Sequence, residues 1–185
     1  MNQVGYEINK ELGECYLFMG EYEKAREYYV KAIENHSGMS EPYMGLAAIA
    51  VNQGDLDGAY HLYKKANNLC TGEKPLTGIG MIAMELGRHE EAFESFRLVL
   101  GHNPGNMMAV NNLLQLAYAL NRLEDAVPCL EAALDSGDTE AVRYALAATH
   151  LTLGNEEEAR SHLEALLGDN PSNDSAKQLY AHLAA

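Results

Sequence analysis

Apolar, small and polar residues recur in the same order five times along the chain. Five segments align without gaps: LGECYLFMGEYEKAREYYVKAI, LAAIAVNQGDLDGAYHLYKKAN, IGMIAMELGRHEEAFESFRLVL, LLQLAYALNRLEDAVPCLEAAL and LAATHLTLGNEEEARSHLEALL. The spacing between the starts of successive segments alternates between 34 and 33 residues. A fixed period of this length predicts a stack of similar units, each of which buries its apolar face against its neighbours.

A glycine or asparagine near the middle of each segment divides it into two helical halves. Both residue types tolerate the left-handed backbone conformation that ends a helix. They are Gly20, Gly54, Gly87, Asn121 and Gly154. The second half of every segment carries an alanine at one equivalent place: Ala25, Ala59, Ala92, Ala126 and Ala159. Small residues let paired helices approach closely, so the pattern predicts five helix–turn–helix units and an all-α fold.

These residues resemble the pattern of the tetratricopeptide repeat family. In that family's frame the units run over about 6–39, 40–72, 73–106, 107–139 and 140–173. The aromatic residue expected at repeat position 24 is present in the first three units, as Tyr29, Tyr63 and Phe96. The resemblance implies a single domain over residues 1–185. It also implies a right-handed α–α superhelix, or solenoid, whose first helices line a concave groove.

The last stretch, SNDSAKQLYAHLAA, predicts one more helix over residues 174–185. Its apolar residues share one helical face: Ala176, Leu179, Tyr180 and Leu183. Ser172 or Asn173 is the expected N-cap. We interpret this segment as a capping helix on the fifth unit, and the alternative is the beginning of a sixth unit. Pro128, inside the second helix of the fourth unit, removes one backbone hydrogen bond and is interpreted as structural.

The net charge of −14 argues against nucleic acid as a partner, because so acidic a chain repels a phosphate backbone. No apolar run reaches the length of about 18 residues that a membrane span needs. The N-terminus lacks the basic and apolar regions of a secretory signal. The three cysteines are far apart and form neither a disulfide framework nor a metal-binding pair. These features predict a cytoplasmic protein.

Acidic residues recur just after each mid-unit turn, where they invite comparison with catalytic or metal-binding carboxylates. We interpret them as first-turn residues that stabilise the helix dipole, because five copies of a catalytic pair would be implausible. The sequence RHEEA at 88–92 is not a metal motif, since Phe93 stands where a second histidine would be required. The remaining histidines show no ligand spacing. We therefore predict no enzymatic activity, no catalytic or metal-binding residues and no cofactor.

The resemblance places repeat positions 2, 5, 9 and 12 of the first helices in the concave groove. From the second unit onward these positions are mostly apolar and rich in methionine, which adapts to varied apolar ligands. The predicted peptide-binding residues are Met44, Met81, Met84, Met108, Asn111, Gln115, Tyr118, Tyr144 and Leu151. Asn111, Gln115 and the neighbouring Asn112 are expected to hydrogen-bond the ligand backbone. Gly78 lies one turn from Met81, and we expect it to open room for the ligand.

The pattern predicts a non-enzymatic scaffold or adaptor that binds an apolar or amphipathic peptide from a protein partner. Two alternatives remain open: a docking or regulatory part of a larger enzyme or assembly, and a self-associating homo-oligomer. Some family members clamp the C-terminal carboxylate of chaperones with a lysine, asparagine and arginine set. Here only Lys10 and Lys74 match that set, and Glu14, Gly45 and Gly78 depart from it. A chaperone-tail clamp is therefore not expected.

Overall fold

The computed structural model describes residues 2–137 and 139–183, which form eleven α-helices and no strand. The helices are α1 (Gln3–Phe18), α2 (Tyr22–Asn35), α3 (Glu41–Asn52), α4 (Leu56–Leu69), α5 (Glu73–Glu85), α6 (His89–His102), α7 (Met107–Leu120), α8 (Leu123–Ser136), α9 (Glu140–Thr152), α10 (Glu156–Asp169) and α11 (Asp174–Leu183). The prediction of an all-α fold is confirmed. Residues 184 and 185, which the predicted terminal helix included, lie outside the described residues.

The turn between the two helices of each pair adopts the left-handed backbone conformation. Its positive φ angles belong to the five residues predicted from the sequence: Gly20 (76°), Gly54 (77°), Gly87 (70°), Asn121 (55°) and Gly154 (80°). At the first turn, the Glu21 N–H donates to the Tyr16 carbonyl at 2.9 Å, and the Gly20 N–H donates to the Leu17 carbonyl at 3.0 Å. These two bonds satisfy carbonyls that the end of α1 would otherwise leave unpaired.

The second helix of each pair begins with carboxylates. The acidic first-turn residues of α2, α4, α6, α8 and α10 include Glu23, Asp57, Glu90, Glu124 and Glu157. Asp55 also caps α4 directly, since its side chain accepts a hydrogen bond from the Gly58 N–H at 2.9 Å. Carboxylates at a helix N-terminus stabilise it by about 0.3–1 kcal/mol each. The helix-start interpretation of the acidic clusters therefore agrees with where the structure places them.

The chain forms two compact units, one up to Ser95 and one from Phe96 onward. In the first unit, α2 packs against α3 through a cluster in which Ala25 and Tyr29 meet Leu46 and Ile49. A second cluster joins α4 to α5 in the same way and contains Ala50, Ala59, Tyr60, Ile79 and Ile82. The alanine that stands at one equivalent place in the second half of each segment is fully buried, as close helix packing requires.

In the second unit, α11 packs on the preceding pair of helices. Ala176 is fully buried in a cluster with Ala147 of α9 and with Leu163 and Leu166 of α10. The N-terminus of α11 is capped by Asn173, whose Oδ1 accepts a hydrogen bond from the Ala176 N–H at 2.9 Å. Of the two N-caps considered from the sequence, the structure selects Asn173.

Pro128 does not end the helix that contains it. Helix α8 continues from Leu123 to Ser136, and Pro128 is exposed on its surface. A proline has no N–H to donate to the carbonyl four residues earlier, which here belongs to Glu124. Because that carbonyl lies in the first turn, the helix loses one bond near its end and remains continuous.

Candidate functional site

The candidate site in the second unit is an exposed face of α7. Met108, Asn111, Gln115 and Tyr118 follow one another at intervals of three or four residues, which places them on one side of the helix. All four are exposed, Met108 to 39% and Tyr118 to 46%. Apolar groups stand at both ends of this row and two amide side chains stand between them. A ligand on this face therefore meets apolar contacts and hydrogen-bonding groups together.

Helix α9 lies beside the Tyr118 end of the α7 face. The Tyr118 hydroxyl is 3.5 Å from Oγ1 of Thr152. Thr152 donates its own proton to the Ala148 carbonyl at 2.8 Å, so Tyr118 is the donor in the pair. Leu151, next to Thr152, is half-buried. The structure thus brings the end of the α7 face close to the end of α9.

Tyr144, the other predicted site residue on α9, faces α11. It lines a depression of about 220 Å³ together with Ser175, Gln178, Leu179 and His182. Tyr144 is half-buried there. The depression offers a flat aromatic surface beside polar α11 side chains, which suits a ligand with both apolar and polar groups.

The first unit carries the three remaining predicted residues, Met44 on α3 and Met81 and Met84 on α5. Met81 is 42% exposed, whereas Met44 and Met84 are half-buried. Met81 therefore offers the most surface to a ligand in this group. Part of the surface of Met44 and of Met84 is covered by neighbouring residues of their own unit.

Gly78 does not open room for a ligand, and that prediction was wrong. Gly78 is buried, and a Cβ atom on it would lie 2.5 Å from Cδ1 and from Cε1 of Tyr63. The space beside this glycine is already filled by the tyrosine ring. The absence of a side chain at position 78 therefore serves the packing of α4 against α5.

Asn112 differs from its exposed neighbours on α7. Its amide nitrogen donates to the Met108 carbonyl at 2.8 Å, one turn earlier in the same helix. Asn112 is half-buried, while Asn111 and Gln115 are exposed. The donor group predicted to meet a ligand at position 112 is thus engaged within the helix, which leaves Asn111 and Gln115 as the exposed amides of the face.

A polar cleft in the second unit was not predicted. It has a volume of about 400 Å³ and is lined by Asn121, Arg122, Leu123, Glu124, Asp125, Thr152 and Leu153. Within it, Arg122 Nε donates to Asp125 Oδ2 at 2.7 Å. The cleft lies between two inter-helix turns that are 33 residues apart in sequence. The sequence of each turn indicates only where one helix ends and the next begins, so it does not predict a cleft that both turns form together.

Two histidines stack inside the second unit. The rings of His150 on α9 and His162 on α10 have centroids 5.7 Å apart and an interplanar angle of 13°. Burial, followed by the nearby His150 and Arg143, lowers the pKa of His162 below its usual value. His150 is only 7% exposed. The pair lies in the packing between α9 and α10.

Among residues 2–137 and 139–183, no three histidine, cysteine or acidic side chains come together in a way that would hold a metal ion. None of the described helices is long and apolar enough to cross a membrane.

The helix pairs and their left-handed turns are those of a tetratricopeptide repeat protein. Three models of the tetratricopeptide repeat family match residues 6–37, 74–106 and 111–174. The chain belongs to this family, and solved structures of the same fold support the assignment.

The relatives are similar in sequence or in fold. The BBSome complex member BBS4 of Bos taurus is 32% identical over 112 residues, which is 60% of this chain and 21% of that protein, so the chain spans about a fifth of that relative. The crystal structure of YrrB, a TPR protein with an unusual peptide-binding site, superimposes with a TM-score of 0.64 at 17% identity and covers 92% of this chain and 89% of its own. The first TPR of Spaghetti (RPAP3), bound to the HSP90 peptide SRMEEVD, has a TM-score of 0.62 at 23% identity and covers 65% of this chain and 99% of its own.

Proposed function

We propose that this protein is a non-enzymatic scaffold that binds an apolar or amphipathic peptide segment of a protein partner. The observation that carries the proposal is the exposed row on α7, where Met108 and Tyr118 flank Asn111 and Gln115. Exposed large apolar groups on one helix face mark interaction surfaces. The solved relatives support the class of function, since one is described as having a peptide-binding site and another is bound to a peptide.

The chemistry of the row favours an extended or helical segment that carries apolar side chains. Methionine changes shape at low cost and therefore accepts varied apolar groups. Tyr118 adds a flat ring with a hydroxyl at its edge, the kind of residue that anchors many interfaces. The amides of Asn111 and Gln115 can pair with the ligand's backbone between these anchors. The first unit, taken by itself, carries one exposed methionine of the same kind, Met81.

A chaperone-tail peptide is a poor fit to this chain. A peptide such as SRMEEVD is acidic and ends in a carboxylate, and its recognition needs cations. Here the net charge is −14, and Glu14, Gly45 and Gly78 stand at positions of the family's clamp where asparagine or arginine is required. We therefore propose a neutral or basic amphipathic ligand, whose approach a negatively charged surface would accelerate.

A second candidate is a docking part of a larger assembly. The bovine relative is a member of the BBSome complex, and this chain spans about a fifth of its length. In that case the face on α7 would hold a subunit of the assembly, not a transient peptide. Self-association into a homo-oligomer and the cytoplasmic location stay predictions.

Selection of peptides from a displayed library, followed by measurement of Kd, tests the proposal. The Met108→Ser/Tyr118→Ser variant should weaken selected peptides by about tenfold or more, because it removes both anchors. Leu98→Ser is the matched control, since Leu98 is 47% exposed on α6 and lies outside the α7 face. Equal binding by wild type and double variant, with the fold intact by circular dichroism, would refute the α7 face as the site.

A further inference from the structure

The polar cleft of the second unit adjoins the end of the exposed α7 face. Thr152 lines the cleft, and its Oγ1 lies 3.5 Å from the hydroxyl of Tyr118, the last residue of that face. The cleft has a volume of about 400 Å³ and lies between the start of α8 and the end of α9. A peptide that lies along α7 and reaches Tyr118 therefore has this cleft beside it.

In the first unit, polar side chains bridge the equivalent space between α2 and α3. The Tyr22 hydroxyl donates to Asn52 Oδ1 at 3.1 Å, and Arg26 Nη2 donates to Gln53 Oε1 at 2.7 Å. The residues at the same repeat positions around the cleft are Leu123, Thr152, Val127 and Leu153. Three of these four are apolar, so neither bridging bond forms in the second unit and the space between the helices stays open.

An ion pair in the first unit shows which group fits opposite a carboxylate at this place. Arg88, just before α6, donates from Nη2 to Oδ1 of Asp57 in the first turn of α4, at 2.8 Å. The residues at the same repeat positions in the second unit are Asn155 and Glu124. Asparagine is shorter than arginine and carries no charge. The second unit therefore keeps the carboxylate but lacks the guanidinium that would face it.

The charges that line the cleft favour a cationic ligand. Within the part of the chain that the structure describes, the exposed Glu124 carboxylate has no hydrogen-bond or ion-pair partner. The other carboxylate, on Asp125, accepts a hydrogen bond from Arg122 Nε at 2.7 Å. Because Arg122 is already paired, an anionic ligand would meet two carboxylates without a free cation to offset them. A cation would instead be attracted to Glu124.

The remaining walls suit an arginine side chain. Leu123 and Leu153 supply apolar surface for its methylene groups. The side-chain oxygens of Asn121 and Thr152 can accept hydrogen bonds from its N–H groups. A guanidinium presents its donors in a planar fork that matches a carboxylate, and it is less strongly hydrated than the ammonium of lysine. Arginine therefore fits the cleft better than lysine does.

We infer that the cleft is a binding subsite for an arginine side chain of the peptide that we propose on α7. The inference rests on that proposed function for the source of the arginine, whereas the cleft residues lie outside the α7 face. The arginine pairs with Glu124 as Arg88 pairs with Asp57 in the first unit. The preferred ligand thus combines apolar side chains, which lie on Met108 and Tyr118, with an arginine near the residue that contacts Tyr118.

Titration with N-acetylarginine amide, followed by nuclear magnetic resonance, tests the cleft without any peptide. We expect saturable shifts of the backbone amides at 121–125 and 152–153, with a Kd on the order of millimolar because one exposed ion pair is weak. The citrulline analogue, which has nearly the same shape but no charge, should not produce these shifts. Glu124→Gln should abolish them. Glu157→Gln is the matched control, since Glu157 is exposed at the same repeat position in α10 and does not line the cleft.

Asn155→Arg tests the cleft in the opposite way. It places an arginine where the residues before α6 and α8 are already Arg88 and Arg122, so the variant should fold, which circular dichroism verifies. The new guanidinium should pair with Glu124 and fill the cleft. N-acetylarginine amide should then no longer bind.

The peptides selected on the wild type connect the cleft to α7. Replacing their arginine by citrulline should raise Kd by about tenfold in the wild type and change it by less than about twofold in Glu124→Gln. The Met108→Ser/Tyr118→Ser variant should bind these peptides weakly. It should still bind N-acetylarginine amide, because the cleft is intact.

Four results would overturn the inference. They are absence of shifts at the cleft, equal shifts with the citrulline analogue, binding of N-acetylarginine amide that Glu124→Gln leaves unchanged, and selected peptides whose affinity does not depend on an arginine. The α7 proposal fails separately. If Met108→Ser/Tyr118→Ser leaves the Kd of the peptides unchanged while Glu124→Gln raises it, the α7 face is not the peptide site and the arginine subsite stands.

Discussion

The ring of Tyr63 on α4 occupies the space that a side chain on Gly78 of α5 would need. A Cβ atom at position 78 would lie 2.5 Å from two ring carbons of this tyrosine. The preceding pair of helices shows the same arrangement, because a Cβ atom on Gly45 of α3 would lie 2.2 Å from Cζ of Tyr29 on α2. In both places the tyrosine at repeat position 24 packs on a glycine at position 6 of the following unit.

Gly78→Ala should therefore destabilise the protein, although alanine is ordinarily the better helix former by about 1 kcal/mol. Overpacking against the Tyr63 ring costs about 1–3 kcal/mol, so we expect a net loss of about 1 kcal/mol in the free energy of unfolding. Urea denaturation measures the change.

Gly101→Ala is the control for that experiment. Gly101 lies in α6, and nothing stands within 4 Å of the Cβ atom that would be added. This variant should gain up to about 1 kcal/mol. In addition, Tyr63→Leu should cost less in the Gly78→Ala background than in the wild type. Equal effects of the two glycine substitutions would contradict the steric account.

Replacing the turn glycine Gly87 by alanine should destabilise the protein by about 1–2 kcal/mol, because its φ of 70° is unfavourable for a residue with a Cβ atom. Asn121→Gly should be neutral or slightly stabilising, since Asn121 already adopts a φ of 55°. Denaturation midpoints compare the two. A Gly87→Ala variant as stable as the wild type would show that the turn accepts another conformation.

Acidification should weaken the fold through His162. Its pKa lies below the ordinary value of about 6.5 in the folded protein, chiefly because of burial and then because of His150 and Arg143, while Glu131 acts in the opposite direction. The unfolded chain therefore takes up this proton first as the pH falls from about 7. The free energy of unfolding then declines below pH 6.5 until the folded pKa is passed.

Denaturation of the wild type and of His162→Gln at several pH values between 7.5 and 5.5 measures this contribution. The wild type should lose more stability over this range than the variant does. Parallel curves for wild type and His162→Gln would show that His162 does not contribute.

Asn173→Ala should loosen α11. The substitution removes the hydrogen bond from the Ala176 N–H and also the bond that Asn173 Nδ2 donates to Glu140 at 3.1 Å. Loss of an N-cap costs about 1 kcal/mol, and α11 is a short helix at the end of the unit. Hydrogen exchange of the α11 amides should accelerate, while Ser172→Ala should leave it unchanged.

Local features of the fold were predictable because a single residue decides them. The left-handed turns follow from glycine or asparagine at one place in each unit, and the acidic helix starts follow from the residues next to them. Features that depend on a contact between two residues far apart in the sequence were not predicted. Gly78 must lack a side chain because the ring of Tyr63 fills the space beside it. The two residues lie on different helices, so the periodicity of one helix does not reveal their contact.

In the candidate site too, the sequence predicted which residues share a helix face but not how far neighbouring helices cover them. The family resemblance placed Met108, Asn111, Gln115 and Tyr118 on one face of α7, and all four are exposed there, while their role in binding a peptide stays a prediction. Periodicity did not distinguish the exposed Met81 from the half-buried Met44 and Met84, because that difference depends on the side chains that neighbouring helices supply.

The tyrosine–glycine contacts also limit which helices can follow one another during folding. Similar units invite a slip in which a helix pair skips its neighbour and docks on a later one. The helices α7 and α9 carry Asn112 and Ala145 at the place where α3 and α5 carry glycine. A Cβ atom at that place meets the ring of Tyr29 or Tyr63, so these two tyrosines favour the glycine-bearing helices α3 and α5 as their neighbours.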